Sequence, residues 1–173
     1  MQPLVFVIFG ASGDLARRKL IPSLFQLHKA GELPEQIAIL GVSRTSYSDE
    51  AFRDKVFWKN DLLNKEGASE DQKSSFAEKL YYQPIDTSNE DDYEKVKVKL
   101  SELDAAYNTN ENYIFYLSTP PSLYTIIPPA LAKFGLNNTE KGIKRLVIEK
   151  PFGYNLETAK KLNDHLLNYF GEE

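Results

Sequence analysis

The stretch Val7–Leu20, "VIFGASGDLARRKL", decides how the rest of the chain is read. An apolar run stops at Gly10, turns through Gly13, and opens into a segment of helical composition carrying Arg17, Arg18 and Lys19 in a row. Ala16 stands three residues beyond Gly13. This G-x-x-G-x-x-A spacing is a variant of the dinucleotide fingerprint, provided that it joins a strand to a helix. A residue without Cβ permits the tight turn and lets backbone approach a pyrophosphate, and a small third residue lets helix and strand pack closely. The N–H groups of the first helical turn then face the phosphates, and Ser12 adds a hydroxyl. A P-loop is excluded, because that motif ends in Gly-Lys and the chain has no such pair.

The surrounding sequence supplies the required context. Runs rich in branched and aromatic residues predict strands over Leu4–Phe9, Ile37–Ser43, Leu80–Ile85, Tyr113–Ser118 and Arg145–Glu149. The first, "LVFVIF", is apolar throughout, as befits a strand covered on both faces. Helical patterns fill the gaps. Asp14–Lys29 stops at Gly31, with Pro22 expected to kink or restart it. Ser48 caps Asp49–Lys65, and a further helix spans Asp71–Lys79, although "KEGASEDQKSS" (65–75) reads as a polar loop. Thr87 or Ser88 caps Glu90–Tyr107, with apolar positions at Val96, Leu100 and Leu103. Ser122–Phe134 and Asn155–Tyr169 follow the last two strands, and "NNTEKG" (137–142) is a loop. Strict alternation of strand and helix predicts one α/β domain, a doubly wound parallel sheet of Rossmann type. Ligands of such sheets sit at the carboxyl ends of the strands.

At the end of the second strand, NAD-binding proteins place a carboxylate against the adenosine ribose. Here the chain reads Ser43-Arg44-Thr45. A guanidinium matches a phosphate bidentately and stacks on a base, and two hydroxyls complete a 2′-phosphate site. The expected cofactor is therefore NADP rather than NAD. Arg44 stands 31 residues after Gly13, against the usual ~20. The long first helix and the "AGELPEQ" loop account for the difference.

The other strand ends carry weaker signals. Asp86 and Thr87 either flank the adenine side of the groove or cap the next helix. "STPPS" stiffens the loop after the fourth strand. Lys150 leaves the fifth strand, where an ammonium can hold a phosphate or polarise a hydroxyl; the Lys150–Pro151 bond is open to either isomer. Lys19 lies in the second turn of the first helix and can reach forward to the same pocket. His28 and His165 fall on helices away from the strand ends and read as surface or packing residues, leaving no general base in the chain.

Composition sets the outer bounds. The chain has 173 residues, 42% hydrophobic, enough for a single core. A net charge of −4 provides no basic footprint, which argues against nucleic acid and acidic membrane as partners. No cysteine is present, so disulfides and thiolate metal sites are excluded and a cytoplasmic setting is expected. No window approaches a membrane span or a signal segment, and the Asn137-Asn138-Thr139 sequon is read as chance.

Three stretches together resemble one family. "FGASGDLARRKLIPSLFQL", "GVSRT" and "RLVIEKPFG" look like the coenzyme-domain signatures of glucose-6-phosphate dehydrogenases, and "YIFYLSTPPSLY" is similar to that family's fourth-strand segment. The likeness runs from Leu4 to about Tyr169. It implies oxidation of glucose 6-phosphate at C1 to the δ-lactone with hydride transfer to NADP+, the entry step of the pentose phosphate pathway. By position, the resemblance assigns Gly10, Ala11, Ser12, Gly13, Asp14 and Leu15 to the pyrophosphate and Arg44 to the 2′-phosphate. It assigns Lys150 to both coenzyme and sugar, and Lys19 to the substrate side. The family's substrate motif and catalytic-base histidine belong to later sequence. The expectation is thus a coenzyme-binding domain, inactive and monomeric alone, from an enzyme that is a homodimer or tetramer.

Two rivals stand beside this reading. A short-chain dehydrogenase needs Tyr-x-x-x-Lys, which occurs at Tyr93–Lys97 in a charged helical segment and reads as accidental. A non-catalytic NADP sensor would carry the same groove, and its gene would end near Glu173.

Overall fold

The central strand of the sheet is β1 (Leu4–Phe9), which explains its unbroken apolar run: it pairs in parallel with β2 (Ile37–Ser43) on one side and β4 (Tyr113–Leu117) on the other. The computed structural model describes residues 2–64 and 67–171. β3 (Leu80–Pro84) extends the sheet beyond β2, and β5 (Lys144–Ile148) extends it beyond β4, giving the order β3-β2-β1-β4-β5 with every pair parallel. All seven residues of β2 are buried. The alternation of strand and helix thus produces the expected doubly wound sheet, with a core on each face.

On one face, Val5, Val7 and Phe9 pack under α5 (Tyr93–Tyr107) and α6 (Ile127–Lys133). Val96, Leu100 and Leu103 form the buried stripe of α5, as their spacing predicts. On the other face, Ile8 and Ile39 pack under α1 (Ile21–Lys29), α2 (Asp49–Arg53) and α4 (Glu70–Ala77), where Phe25, Phe57 and Phe76 meet with ring centroids 5.1–5.3 Å apart. α1 ends as expected: Gly31 has φ +70°, Glu32 N donates to Leu27 O at 2.8 Å and Gly31 N to His28 O at 3.1 Å, a Schellman closure.

The helices differ from expectation where local chemistry interrupts the ladder. Ahead of α1, Ala16–Leu20 winds as a π-turn in which Ile21 N reaches back to Ala16 O. Pro22 follows and has no N–H to donate, so the restart expected at proline appears as this widened turn. The helix expected over Asp49–Lys65 is broken into α2, a π-turn over Asp54–Trp58, and α3 (Asp61–Asn64) after a turn at Lys59–Asn60; Lys65 lies outside the described residues. The loop expected over 65–75 holds at 67–69 in its described part and fails from Glu70, because Ser69 and Gln72 form a capping box that starts α4 there.

Neither Thr87 nor Ser88 caps the next helix. Asn89 does, accepting from Asp91 N at 3.3 Å to open a 3₁₀ turn ahead of α5. The helix expected over Ser122–Phe134 shortens to α6, since Pro128 and Pro129 fit only a first turn. α7 (Leu156–Leu167) is capped by Asn155, which exchanges hydrogen bonds with Thr158.

Candidate functional site

The turn after β1 is held to β2: Gly10 N and Ala11 N both donate to Val42 O, at 2.8 and 3.3 Å. Gly10 has φ +82°, and a β-carbon there would overlap the carbonyl of Ser118 at the end of β4. Only glycine permits this approach of three strand ends. Gly13 N donates to Gly10 O at 2.9 Å, and the first intrahelical bond runs from Arg17 N to Gly13 O at 3.2 Å. The N–H groups of Asp14, Leu15 and Ala16 therefore precede the ladder and point out of the helix start. Asp14 and Leu15 are exposed there, and Asp14 makes a surface ion pair with Arg18 at 3.6 Å.

Ser12, Ser43, Arg44, Thr45 and Thr87 converge with Pro120 and Leu123 on one cavity of about 420 Å³ at the carboxyl ends of the strands. Among the described residues lining it, none is acidic. Its floor is a chain of hydroxyls. Thr45 Oγ1 donates to Ser12 Oγ at 3.0 Å, Ser12 Oγ lies 2.6 Å from Ser43 Oγ, and Ser43 Oγ lies 2.9 Å from the hydroxyl of Tyr82. Tyr82 in turn donates to the carbonyl of Thr45 at 2.7 Å. Burial raises the Tyr82 phenol above the usual tyrosine range, so it remains a donor.

The expected site residues thus divide. Ser12, Ser43, Arg44 and Thr87 share the cavity, with the Gly10–Leu15 turn beside it. Asp86 is turned to its own loop, its carboxylate accepting from Ser88 N at 3.0 Å while its N–H donates to Asp92 at 2.8 Å. Lys19 is exposed on the π-turn, and Lys150 is exposed after β5; neither lines the cavity. The Lys150–Pro151 bond is cis.

Three features escaped sequence reasoning. Tyr82 sits within β3 rather than at its end, so nothing local marks it. Tyr116 donates to the carboxylate of Glu149 across β4 and β5, while Tyr124 donates to the Glu149 carbonyl at 3.2 Å, so the residue before Lys150 is held twice. Ser118 Oγ and Thr119 Oγ1, beside Gly10, are buried without a hydrogen-bond partner among the described residues. Orphaned hydroxyls next to a backbone cradle fit a polar ligand with unsatisfied acceptors, as a dinucleotide has.

The remaining candidates have structural roles. Tyr93 is fully buried with its hydroxyl donating to Thr87 O at 3.0 Å, so the Tyr93–Lys97 pair presents no phenol to a substrate. His28 is bonded to Ser75 at 2.9 Å and His165 to Thr125 O at 3.2 Å. No helix of the described residues is long and apolar enough to cross a membrane, and no group of three or more His, Cys, Asp or Glu side chains among them could hold a metal ion.

Residues 7–173 match the family described as "Glucose-6-phosphate dehydrogenase, NAD binding domain". The glucose-6-phosphate 1-dehydrogenase of Aggregatibacter actinomycetemcomitans is 47% identical over 166 residues, which cover 96% of this chain and 33% of that protein. The Treponema pallidum enzyme is 42% identical over 99% of this chain and 34% of its own length. A solved structure of a glucose-6-phosphate dehydrogenase in complex with its substrate glucose 6-phosphate superposes with a TM-score of 0.86 at 32% identity, covering 98% of this chain and 35% of that one. The chain accordingly spans about one third of the length of these relatives. The match over nearly the whole chain, on a sheet whose glycine turn suits a nicotinamide dinucleotide, means that the chain belongs to the NAD-binding-domain family of the glucose-6-phosphate dehydrogenases.

Proposed function

We propose that this domain binds NADP+ and supplies the coenzyme half of a glucose-6-phosphate 1-dehydrogenase, which oxidises C1 of the sugar to the δ-lactone. The observation that carries the reading is the cavity where Ser12, Ser43, Arg44 and Thr45 converge with no carboxylate among its described lining residues. A carboxylate would repel a 2′-phosphate, whereas a guanidinium flanked by hydroxyls receives it. The glycine turn takes the pyrophosphate on Gly10–Leu15, with the helix start providing N–H donors. Bound there, the coenzyme supplies a hydride acceptor. Lys150, at the end of β5, orients sugar and coenzyme, with Glu149 fixed by Tyr116 and Tyr124; Lys19 serves the sugar side.

The domain alone binds coenzyme without turning over substrate, because both histidines, His28 and His165, are engaged with Ser75 and Thr125 away from the cavity. Val147, Phe152, Leu156 and Leu167 are exposed on and around β5 and α7, an apolar surface suited to the partner domain that its relatives' length implies. The isolated domain is a monomer, and the absence of cysteine supports a cytoplasmic setting.

Parallel calorimetric titrations with NADP+ and NAD+ test the reading. The expected result is at least tenfold tighter binding of NADP+, a gap of ~1.4 kcal/mol, that disappears in Arg44→Ala. Equal binding of both dinucleotides by the unaltered protein would overturn it.

A further inference from the structure

We propose that Tyr82 is a positioning residue for coenzyme choice: its phenol sets the Ser43–Arg44–Thr45 turn and thereby the preference for a dinucleotide carrying a 2′-phosphate. This rests on the NADP+ reading above and deepens it.

Each of the four hydroxyl protons has an acceptor. Tyr82 gives its proton to the Thr45 carbonyl, so its oxygen is left to accept, and the donor must be Ser43. Ser43 then accepts from Ser12, and Ser12 accepts from Thr45. The chain runs from the Thr45 side chain through Ser12 and Ser43 to Tyr82 and back to the Thr45 backbone, with every proton used.

One end of this circuit is buried and the other is exposed. Tyr82 is 4% exposed, its ring centroid lies 4.7 Å from that of Phe52 and 5.5 Å from that of Tyr47 with the rings tilted, and its backbone N–H is held by Asp49 at 2.6 Å. Ser43 is 7% exposed, whereas Ser12 and Thr45 are exposed at the cavity. A phosphate entering the cavity takes donors from the exposed end, Thr45 and Ser12, without disturbing Tyr82. The phenol meanwhile keeps hold of both residues that flank Arg44: the Ser43 hydroxyl on one side and the Thr45 carbonyl on the other. Without it, a nearly buried serine proton and a carbonyl lose their partner, and the turn carrying the guanidinium is free to drift. A dinucleotide lacking the 2′-phosphate makes no demand on that turn, so the effect must fall on one coenzyme and not on the other.

The test titrates NADP+ and NAD+ at fixed salt into the unaltered protein, Tyr82→Phe, Arg44→Ala and Phe52→Leu, with thermal unfolding of each. Tyr82→Phe, which removes the hydrogen bonds to Ser43 and to the Thr45 carbonyl, is expected to weaken NADP+ about fivefold and to leave NAD+ nearly unchanged. Phe52→Leu, which loosens the packing and spares the hydroxyl, is expected to lower Tm with the affinity ratio kept. A Tyr82→Phe protein whose ratio is unchanged, or which loses both coenzymes equally, overturns the proposal and leaves Tyr82 a packing residue. If Arg44→Ala collapses the ratio while Tyr82→Phe does not, only the role of Tyr82 fails. If neither variant moves the ratio, the 2′-phosphate reading fails and this proposal with it.

Discussion

The side-chain amide of Asn60 donates to the carbonyl of Arg17 at 2.8 Å, across 43 residues of sequence. Arg17 needs that donor. In the π-turn, Ile21 N is spent on Ala16 O, and the next candidate, Pro22, has no N–H. The same amide donates to Val56 O at 3.0 Å, and Asn60 is 2% exposed, so one buried side chain completes both interrupted helices and ties the helix after the glycine turn to its neighbour. Asn60→Ala strands two carbonyls and is expected to cost about 1–3 kcal/mol, read as a lower urea midpoint at unchanged m-value. Asn60→Asp is expected to cost more, since it sets an acceptor against acceptors. A loss within about 0.5 kcal/mol for both, the ordinary range of surface changes, would remove Asn60 from this role.

The two fingerprint glycines should separate fold from binding. At Gly10 the φ of +82° and the Ser118 backbone leave no room for a methyl group, so Gly10→Ala is expected to destabilise by about 2–4 kcal/mol. At Gly13 an added β-carbon would meet only Gly10 O, at 3.0 Å. Gly13→Ala is expected to remain within about 1 kcal/mol in stability but to lose dinucleotide binding, because the methyl group occupies the approach to the helix start. Calorimetry beside thermal unfolding distinguishes the two. A folded Gly13→Ala protein with unaltered affinity would dismiss the turn as a phosphate site.

How much of this was readable beforehand follows from the range of each interaction. "LVFVIF" and "IAILGVS" announce buried strands because burial on both faces demands continuous apolar sequence, and β1 and β2 carry the predicted bounds. β3, β4 and β5 stop one residue before the expected end, at Pro84, Leu117 and Ile148, and β5 starts one residue sooner, at Lys144. The glycine turn was readable because its chemistry is local. The π-turns were not: over five residues, apolar spacing does not distinguish π from α, and the partner that permits them, Asn60, lies far along the chain. Arg44 was readable from its place at a strand end. Tyr82, two residues before the end of β3, was hidden because only tertiary packing carries its phenol under that turn.

Gly41 prepares the floor beneath the turn. It lies in the fully buried β2, and an added β-carbon would stand 2.6 Å from Phe52 Cζ and 2.8 Å from Ala11 Cβ. Both neighbours are completely buried, so Gly41→Ala is expected to cost about 1–3 kcal/mol through overpacking. Because Ala11 belongs to the turn, dinucleotide affinity should fall as well. Adding Phe52→Leu makes space on one side only; it should restore part of the stability and none of the affinity. Additive losses in the double variant would show that the two positions do not share this space.

Alkaline unfolding should report the buried phenols. Burial, with Asp86 and Glu90 adding to it, pushes Tyr93 well above the usual tyrosine range; burial with Asp104 and Glu111 does the same for Tyr113. Tyr82, Tyr107, Tyr116 and Tyr124 move the same way. In the unfolded chain these groups ionise near pH ~10, while the native protein holds their protons. Stability contributed by the neutral phenols is therefore fully present below about pH 10 and falls as pH rises beyond it, by up to ~1.4 kcal/mol per pH unit for each proton retained. Urea midpoints between about pH 8 and 11.5 should be level and then decline. Tyr93→Phe lowers the plateau through the lost bond to Thr87 O, 3.0 Å in length, but removes one proton from the difference and so makes the decline shallower. Parallel declines in the two proteins would show that Tyr93 ionises in the folded state as it does in the unfolded one.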